Sequence, residues 1–253
     1  MELNFVQFLI VCPLVFLAGF VDSIAGGGGL ISLPAYMIAG LPAHIAIGTN
    51  KLSSSMGSVI STVKYARAGF IDIRKVIFCV AFAYGGSTLG ANVALMVSDH
   101  FFKIIMLIVI PLTAVYVLLR KNALSEKPAY GTVKTILLAC SISFVLGFYD
   151  GFYGPGTGTF LILLLVNVAH FTLNDANGAA KTINMTTNIA ALVVYIMNGV
   201  VVFPLGLVAG LFSIAGTYLG SRLFIRDGAK IVKPVMVGVL VIFFVKIIVE
   251  LIG

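Results

Sequence analysis

The chain has 253 residues, of which 60% are hydrophobic and only 10% charged. Soluble domains carry roughly 25% charged residues, so an ordinary water-facing surface is excluded and a polytopic membrane protein is indicated. The net charge of +7 reads as membrane topology, with no nucleic-acid partner, because Lys and Arg cluster in short loops between apolar spans.

Ten apolar segments are predicted, at 3–24, 30–40, 45–66, 76–97 and 104–119 in the first half and 132–149, 159–169, 182–197, 200–221 and 234–252 in the second. The start, Met-Glu, lacks a basic region, so the first segment reads as a retained helix rather than a cleaved leader. The second segment of each half is short: 30–39 has ten residues and 159–169 has eleven. At about 1.5 Å per residue these reach about 15 Å, half of a hydrocarbon core of about 30 Å. They are expected to be half-helices opened by glycine breaks.

Those breaks recur. Gly19-Phe20-Val21-Asp22 runs into Gly26-Gly27-Gly28, and 128 residues later Gly147-Phe148-Tyr149-Asp150 runs into Gly154-Pro155-Gly156. Downstream, Gly48 and Lys51 match Gly178 and Lys181 at an offset of 130, as do Tyr65 and Tyr195, Gly86 and Gly216, and Gly90 and Gly220. Basic residues near Lys64, Arg67, Arg74 and Lys75 have no counterpart in 198–204, whereas the joint and the loop near Arg222 and Arg226 are basic again. The expected fold is therefore all-α: two inverted-topology repeats of about five apolar segments each, with 8–10 transmembrane segments. The first repeat would cover 1–120, a cytoplasmic joint 121–131 and the second repeat 132–253, with both termini outside.

Helix N-termini at glycine breaks leave N–H groups free and carry partial positive charge, which suits anions. Gly26, Gly27 and Gly28 would form one half of such a cradle, and Gly154, Gly156 and Thr157 the other. The alternative is that the glycines only allow close helix packing. Lys51, with Asn50 and Ser54, and Lys181, with Asn184 and Asn188, add charge and hydrogen bonds. Asn50, Ser54, Ser58 and Ser61 mark one helix face. An ionisable residue within a membrane segment points to function, although both lysines could instead snorkel to an interface. Asp22 and Asp150 repel anions, so they suit a proton carrier, a lysine partner or a backbone cap.

Cys12, Cys79 and Cys140 lack metal-ligand spacing. Buried fillers are their ordinary role, although Cys12 and Cys140 also correspond between halves. His44, His100 and His170 lie near segment ends. The tetraglycine Gly26 to Gly29 lacks the Gly-Lys-Ser/Thr ending of a phosphate-binding loop. No enzymatic constellation, metal site or cofactor is expected.

Gly-Phe-Val-Asp-Ser-Ile-Ala-Gly-Gly-Gly-Gly-Leu (19–30), Gly-Thr-Asn-Lys-Leu (48–52), Gly-Phe-Tyr-Asp-Gly-Phe-Tyr-Gly-Pro-Gly-Thr-Gly (147–158) and Gly-Ser-Arg-Leu (220–223) resemble the sulfite exporter TauE/SafE (TSUP) family. The resemblance covers essentially the whole chain. It implies a bacterial inner-membrane transporter of sulfur-containing anions: sulfite, thiosulfate or organosulfonates. Alternating access, with proton or ion coupling as an option, would move the anion. A passive anion channel, a carrier of a non-sulfur anion and a membrane enzyme remain as alternatives.

Overall fold

The computed structural model describes residues 3–98, 128, 130–228, 230, 231 and 235. The described residues form eight α-helices: α1 (Phe5–Ala25), α2 (Gly29–Ile38), α3 (Ala43–Arg67), α4 (Ile73–Leu95), α5 (Thr132–Phe152), α6 (Thr157–Asn167), α7 (Leu173–Met197) and α8 (Phe203–Asp227).

This corrects the expectation of two inverted repeats of about five apolar segments each with 8–10 crossings. Among the described residues, four helices are long and apolar enough to cross a membrane: α1, α4, α5 and α8. The other four fail for two physical reasons. α2 and α6 have 10 and 11 residues, too few to cross. α3 and α7 have 25 residues each, but their composition is polar and they bury that polarity inside the bundle. The expected segments 104–119 and 234–252, His100 and most of the joint 121–131 lie outside the described residues.

Polar and apolar surfaces are distributed for a lipid solvent. Ile73, Ile77 and Phe78 of α4, Val133 and Leu137 of α5, and Leu211 of α8 are exposed, while Asn50, Lys51, Lys181, Asn184 and Asn188 are buried. Hydrocarbon solvates the former at no cost and would leave the latter without hydrogen bonds.

Helices pair across the two halves of the chain: α1 packs chiefly on α8, and α4 on α5. Glycines set these contacts. A Cβ on Gly90 would meet the backbone of Phe148, and one on Gly151 would meet the backbone of Ser87. At the other pair, Gly220 faces the backbone of Phe20 and Gly216 that of Phe16. Close backbone approach of this kind is how membrane helices gain packing energy without a hydrophobic drive. Between the two pairs, α3 packs against α8 and α7, and α7 against α4.

α3 and α7 run antiparallel. Lys51 of α3 bonds Asn188 of α7, and eleven residues on, Thr62 donates to the carbonyl of Lys181. The basic loop between α3 and α4 therefore lies at one end of the bundle, where Phe70 packs on Gly178. The uncharged loop before α8 lies at the other end, with the Val202 N–H bonded to Thr49 at 3.0 Å.

Candidate functional site

Among the described residues a short glycine-bearing break opens a half-length helix twice, between α1 and α2 and between α5 and α6. Gly26 (φ 72°) and Gly156 (φ 84°) take left-handed backbone conformations there, which L side chains resist. The two breaks touch. Gly26 packs against Gly158, and Thr159 donates to the carbonyls of Ala25 (3.1 Å) and Gly26 (2.6 Å).

A helix that ends buried in the bundle, as α1 does at Ser23, Ile24 and Ala25, must satisfy its last four carbonyls. At the end of α1 each has an identified side-chain donor. Lys181 donates to the Asp22 carbonyl, Tyr65 to Ser23 (2.6 Å), Asn177 to Ile24 (3.0 Å) and Thr159 to Ala25. Tyr195, the counterpart of Tyr65, donates likewise to Gly151 near the end of α5 at 2.8 Å.

The Asp22 carboxylate folds over its own break. Its Oδ1 accepts from the N–H groups of Gly27 and Gly28, both at 3.2 Å, and its Oδ2 lies 3.4 Å from Lys181 Nζ. An anion seat at the start of α2 is thus taken by the chain's own carboxylate. The second break differs because Pro155 stands where the first has Gly27, and proline has no N–H. There the Asp150 carboxylate instead meets Lys51 Nζ at 2.7 Å, and the N-cap of α6 is Gly156, which has no side chain to cap with.

A cavity opens beside this junction, with a free volume of about 40 Å³. About 10–15 Å³ suffices for one water, so the space suits a few waters or one small oxyanion. Asp22, Gly27 and Gly28 line it from the first break, and Asp150, Gly154, Gly156 and Thr157 from the second. α3 contributes Asn50, Lys51 and Ser54, and α7 contributes Asn184 and Asn188. Two expected residues are not on the wall: Gly26 is covered by Gly158, and Lys181 is turned to the end of α1.

The wall is polar but already paired. Lys51 also donates to Asn188 Oδ1 (3.1 Å), Asn188 to Asn184 Oδ1 (3.0 Å), and Ser54 to Asn50 Oδ1 (3.4 Å). Much of the α3 serine stripe serves its own helix: Ser58 donates to the Ser55 carbonyl and Ser61 to the Ser58 carbonyl. Of those two, only Ser58 reaches the cavity.

Sequence reasoning missed Ser32 on α2 and Ser213 and Thr217 on α8, all on the wall. Ser213 and Thr217 stand four residues apart in an otherwise apolar segment, and that spacing was the available signal. The three cysteines are buried and absent from the wall. His44 bonds the Ala94 carbonyl at 3.1 Å and His170 stacks on Tyr130, both at helix ends away from the cavity.

Comparison with known proteins is consistent along the chain. The model of one protein family, sulfite exporter TauE/SafE, matches residues 11–247. A probable membrane transporter protein, ORF9, from Sinorhizobium sp is 35% identical over 93% of this chain and 90% of its own length. Another from Haemophilus influenzae is 32% identical over 88% of this chain and 87% of its own length. The probable membrane transporter protein YfcA of Escherichia coli is 34% identical over 91% of this chain and 86% of its own length. No solved structure matches the chain.

Proposed function

Because the chain belongs to the sulfite exporter TauE/SafE family of membrane transporters, we propose that its cavity binds small sulfur-containing anions and carries them by alternating access. The protein is a multi-pass transporter of the bacterial inner membrane.

One observation carries it. Lys51, a buried cation, shares a small cavity with Asn50, Asn184, Asn188, Ser54 and the glycine-rich start of α6. Ammonium, amide, hydroxyl and backbone N–H donors together suit an oxyanion. A space of about 40 Å³ is compatible with a small oxyanion such as sulfite, thiosulfate or a short sulfonate. In this reading Gly154, Gly156 and Thr157 contact the anion, Gly27 and Gly28 hold Asp22, and Lys181 with Gly26 supports the wall from behind. The separation of basic and uncharged loops to opposite ends supports basic loops in the cytoplasm and both termini outside.

The test is counterflow of radiolabelled sulfite, thiosulfate and isethionate in proteoliposomes. Saturable exchange of one of them, lost in Lys51→Gln, is expected. Flux without saturation would replace the carrier with a channel. No exchange in folded protein would remove sulfur anions as the cargo. A C-terminal reporter active only in the cytoplasm would overturn the orientation.

A further inference from the structure

We propose that Asp150 is a displaceable counter-ion: it neutralises Lys51 in the empty transporter, and the incoming anion takes its place. The proposal rests on the reading of the cavity as an anion site and deepens it by assigning how binding is coupled to movement.

The two halves carry matched Lys–Asp pairs, but the carboxylates are held differently. Asp22 is fixed by three groups: the N–H of Gly27, the N–H of Gly28 and the ammonium of Lys181. Lys181 in turn is engaged with a helix-end carbonyl and lies off the cavity wall. That pair is part of the scaffold. Asp150 has no such anchoring: Pro155 lacks the N–H that Gly27 supplies in the first half, and among the described residues the N–H of Gly156, the counterpart of Gly28, makes no bond to it. Among the described residues the one hydrogen bond to its carboxylate comes from Lys51, at 2.7 Å. Both partners are nearly fully buried and both line the cavity.

An ammonium has three donors, and two of those on Lys51 are used, on Asp150 and Asn188. An oxyanion in the cavity meets the third and competes with Asp150 for the same charge. Two anions cannot share one buried cation at low energetic cost, so a bound anion loosens the link between α3 and α5. That link joins the α1–α8 side of the bundle, to which α3 belongs, with the α4–α5 side. A ligand shifts a conformational equilibrium by its differential affinity for the two states, and replacing Asp150 provides that difference. The empty site carries no net charge on this pair, so it can reorient without cargo. With an amide at position 150, reorientation would require a bound anion.

The experiment compares wild type, Asp150→Asn and Asp150→Glu in proteoliposomes, with sulfite and thiosulfate as probes, each as counterflow and as net efflux into anion-free buffer. In Asp150→Asn the ratio of net efflux to counterflow is expected to fall about tenfold or more, with a lower half-saturating concentration. Asp150→Glu, which keeps the counter-ion, should retain most of the ratio. An unchanged ratio in folded Asp150→Asn would overturn the proposal.

A second measurement holds if that variant is poorly folded or the cargo is not a sulfur anion. Melting temperature in detergent is recorded for wild type, Asp150→Asn and Asp150→Ala with sulfite, thiosulfate, sulfate, phosphate, chloride and acetate. Larger stabilisation by at least one anion in the variants than in wild type supports the proposal. Equal or smaller stabilisation by all of them overturns it. Wild type that exchanges neither probe rejects the sulfur cargo alone, and the melting series then decides about Asp150.

Discussion

Lys51 on α3 and Asp150 near the end of α5 are 2.7 Å apart, although 99 residues separate them in sequence. Their counterparts, Lys181 and Asp22, also meet, with the carboxylate Oδ2 at 3.4 Å. Each lysine thus reaches the aspartate of the other half, so the paired motifs of the sequence form two crossed links.

The crossed links should be separable by mutation. Removing one partner of a buried ion pair costs about 3–5 kcal/mol, while replacing both costs much less. Lys51→Gln and Asp150→Asn are each expected to lower the melting temperature, and the double substitution to recover most of the loss. Lys181→Gln with Asp22→Asn should recover less, because the Asp22 carbonyl loses the Lys181 ammonium and the N–H groups of Gly27 and Gly28 exchange a charged acceptor for a neutral amide oxygen. Equal recovery in the two cycles would contradict the structural difference between the pairs.

Gly90 and Gly151 sit where a Cβ would strike backbone, which cannot swing aside as a side chain can. Gly90→Ala and Gly151→Ala should each destabilise by about 1–3 kcal/mol through overpacking. Gly85, earlier on α4, has nothing within 4 Å of the point where a Cβ would stand. Gly85→Ala should be neutral or stabilise by about 0.5–1 kcal/mol, since alanine favours a helix. Thermal melts of the three variants check this, and similar losses in all three would refute the close α4–α5 contact.

Tyr65→Phe and Tyr195→Phe each remove one buried hydrogen bond to a helix-end carbonyl. Each should cost about 1–3 kcal/mol, the penalty for an unsatisfied buried group. Thr159→Val removes the donor to both Ala25 and Gly26 and should cost at least as much as either. Amide exchange at residues 23–30 should speed up in Tyr65→Phe and Thr159→Val and stay unchanged in Tyr195→Phe.

Cys12, Cys79 and Cys140 are 5%, 1% and 6% exposed and lie off the cavity wall. Replacing all three by Ala should leave transport within about twofold of wild type, with some loss of packing energy. A membrane-impermeant maleimide should leave the native protein unlabelled. Inhibition by that reagent would place a cysteine on the route of the anion.

The half-helices were legible because two local signals agree: ten or eleven apolar residues, and glycines immediately before them. The meeting of Lys51 with Asp150 was not. Comparing one half with the other reveals which residues correspond, and says nothing about which touch. α7 was expected from residue 182 yet starts at Leu173. Its first turns, with Asn174, Asp175, Asn177 and Lys181, look like a loop to any reading based on hydrophobicity. Inside the bundle those polar groups find partners, as Asn177 does at Ile24, and the helix continues through them. The same cause produced the excess of expected crossings: α3 and α7 are long helices that turn their many polar residues onto other helices.

The exchange of partners between α1–α8 and α4–α5 bears on the order of synthesis. The first four helices leave the ribosome before any helix that completes their packing exists. At that moment Asp22 lacks Lys181, Lys51 lacks Asp150, and the glycine faces of α1 and α4 have no opposing backbone. A nascent first half is therefore an open form, exposed to membrane proteases until the second half arrives. Residues 1–98 expressed alone should be degraded rapidly, and co-expression of 128–253 should lengthen their lifetime. Equal lifetimes with and without the second half would show that the first half closes on itself.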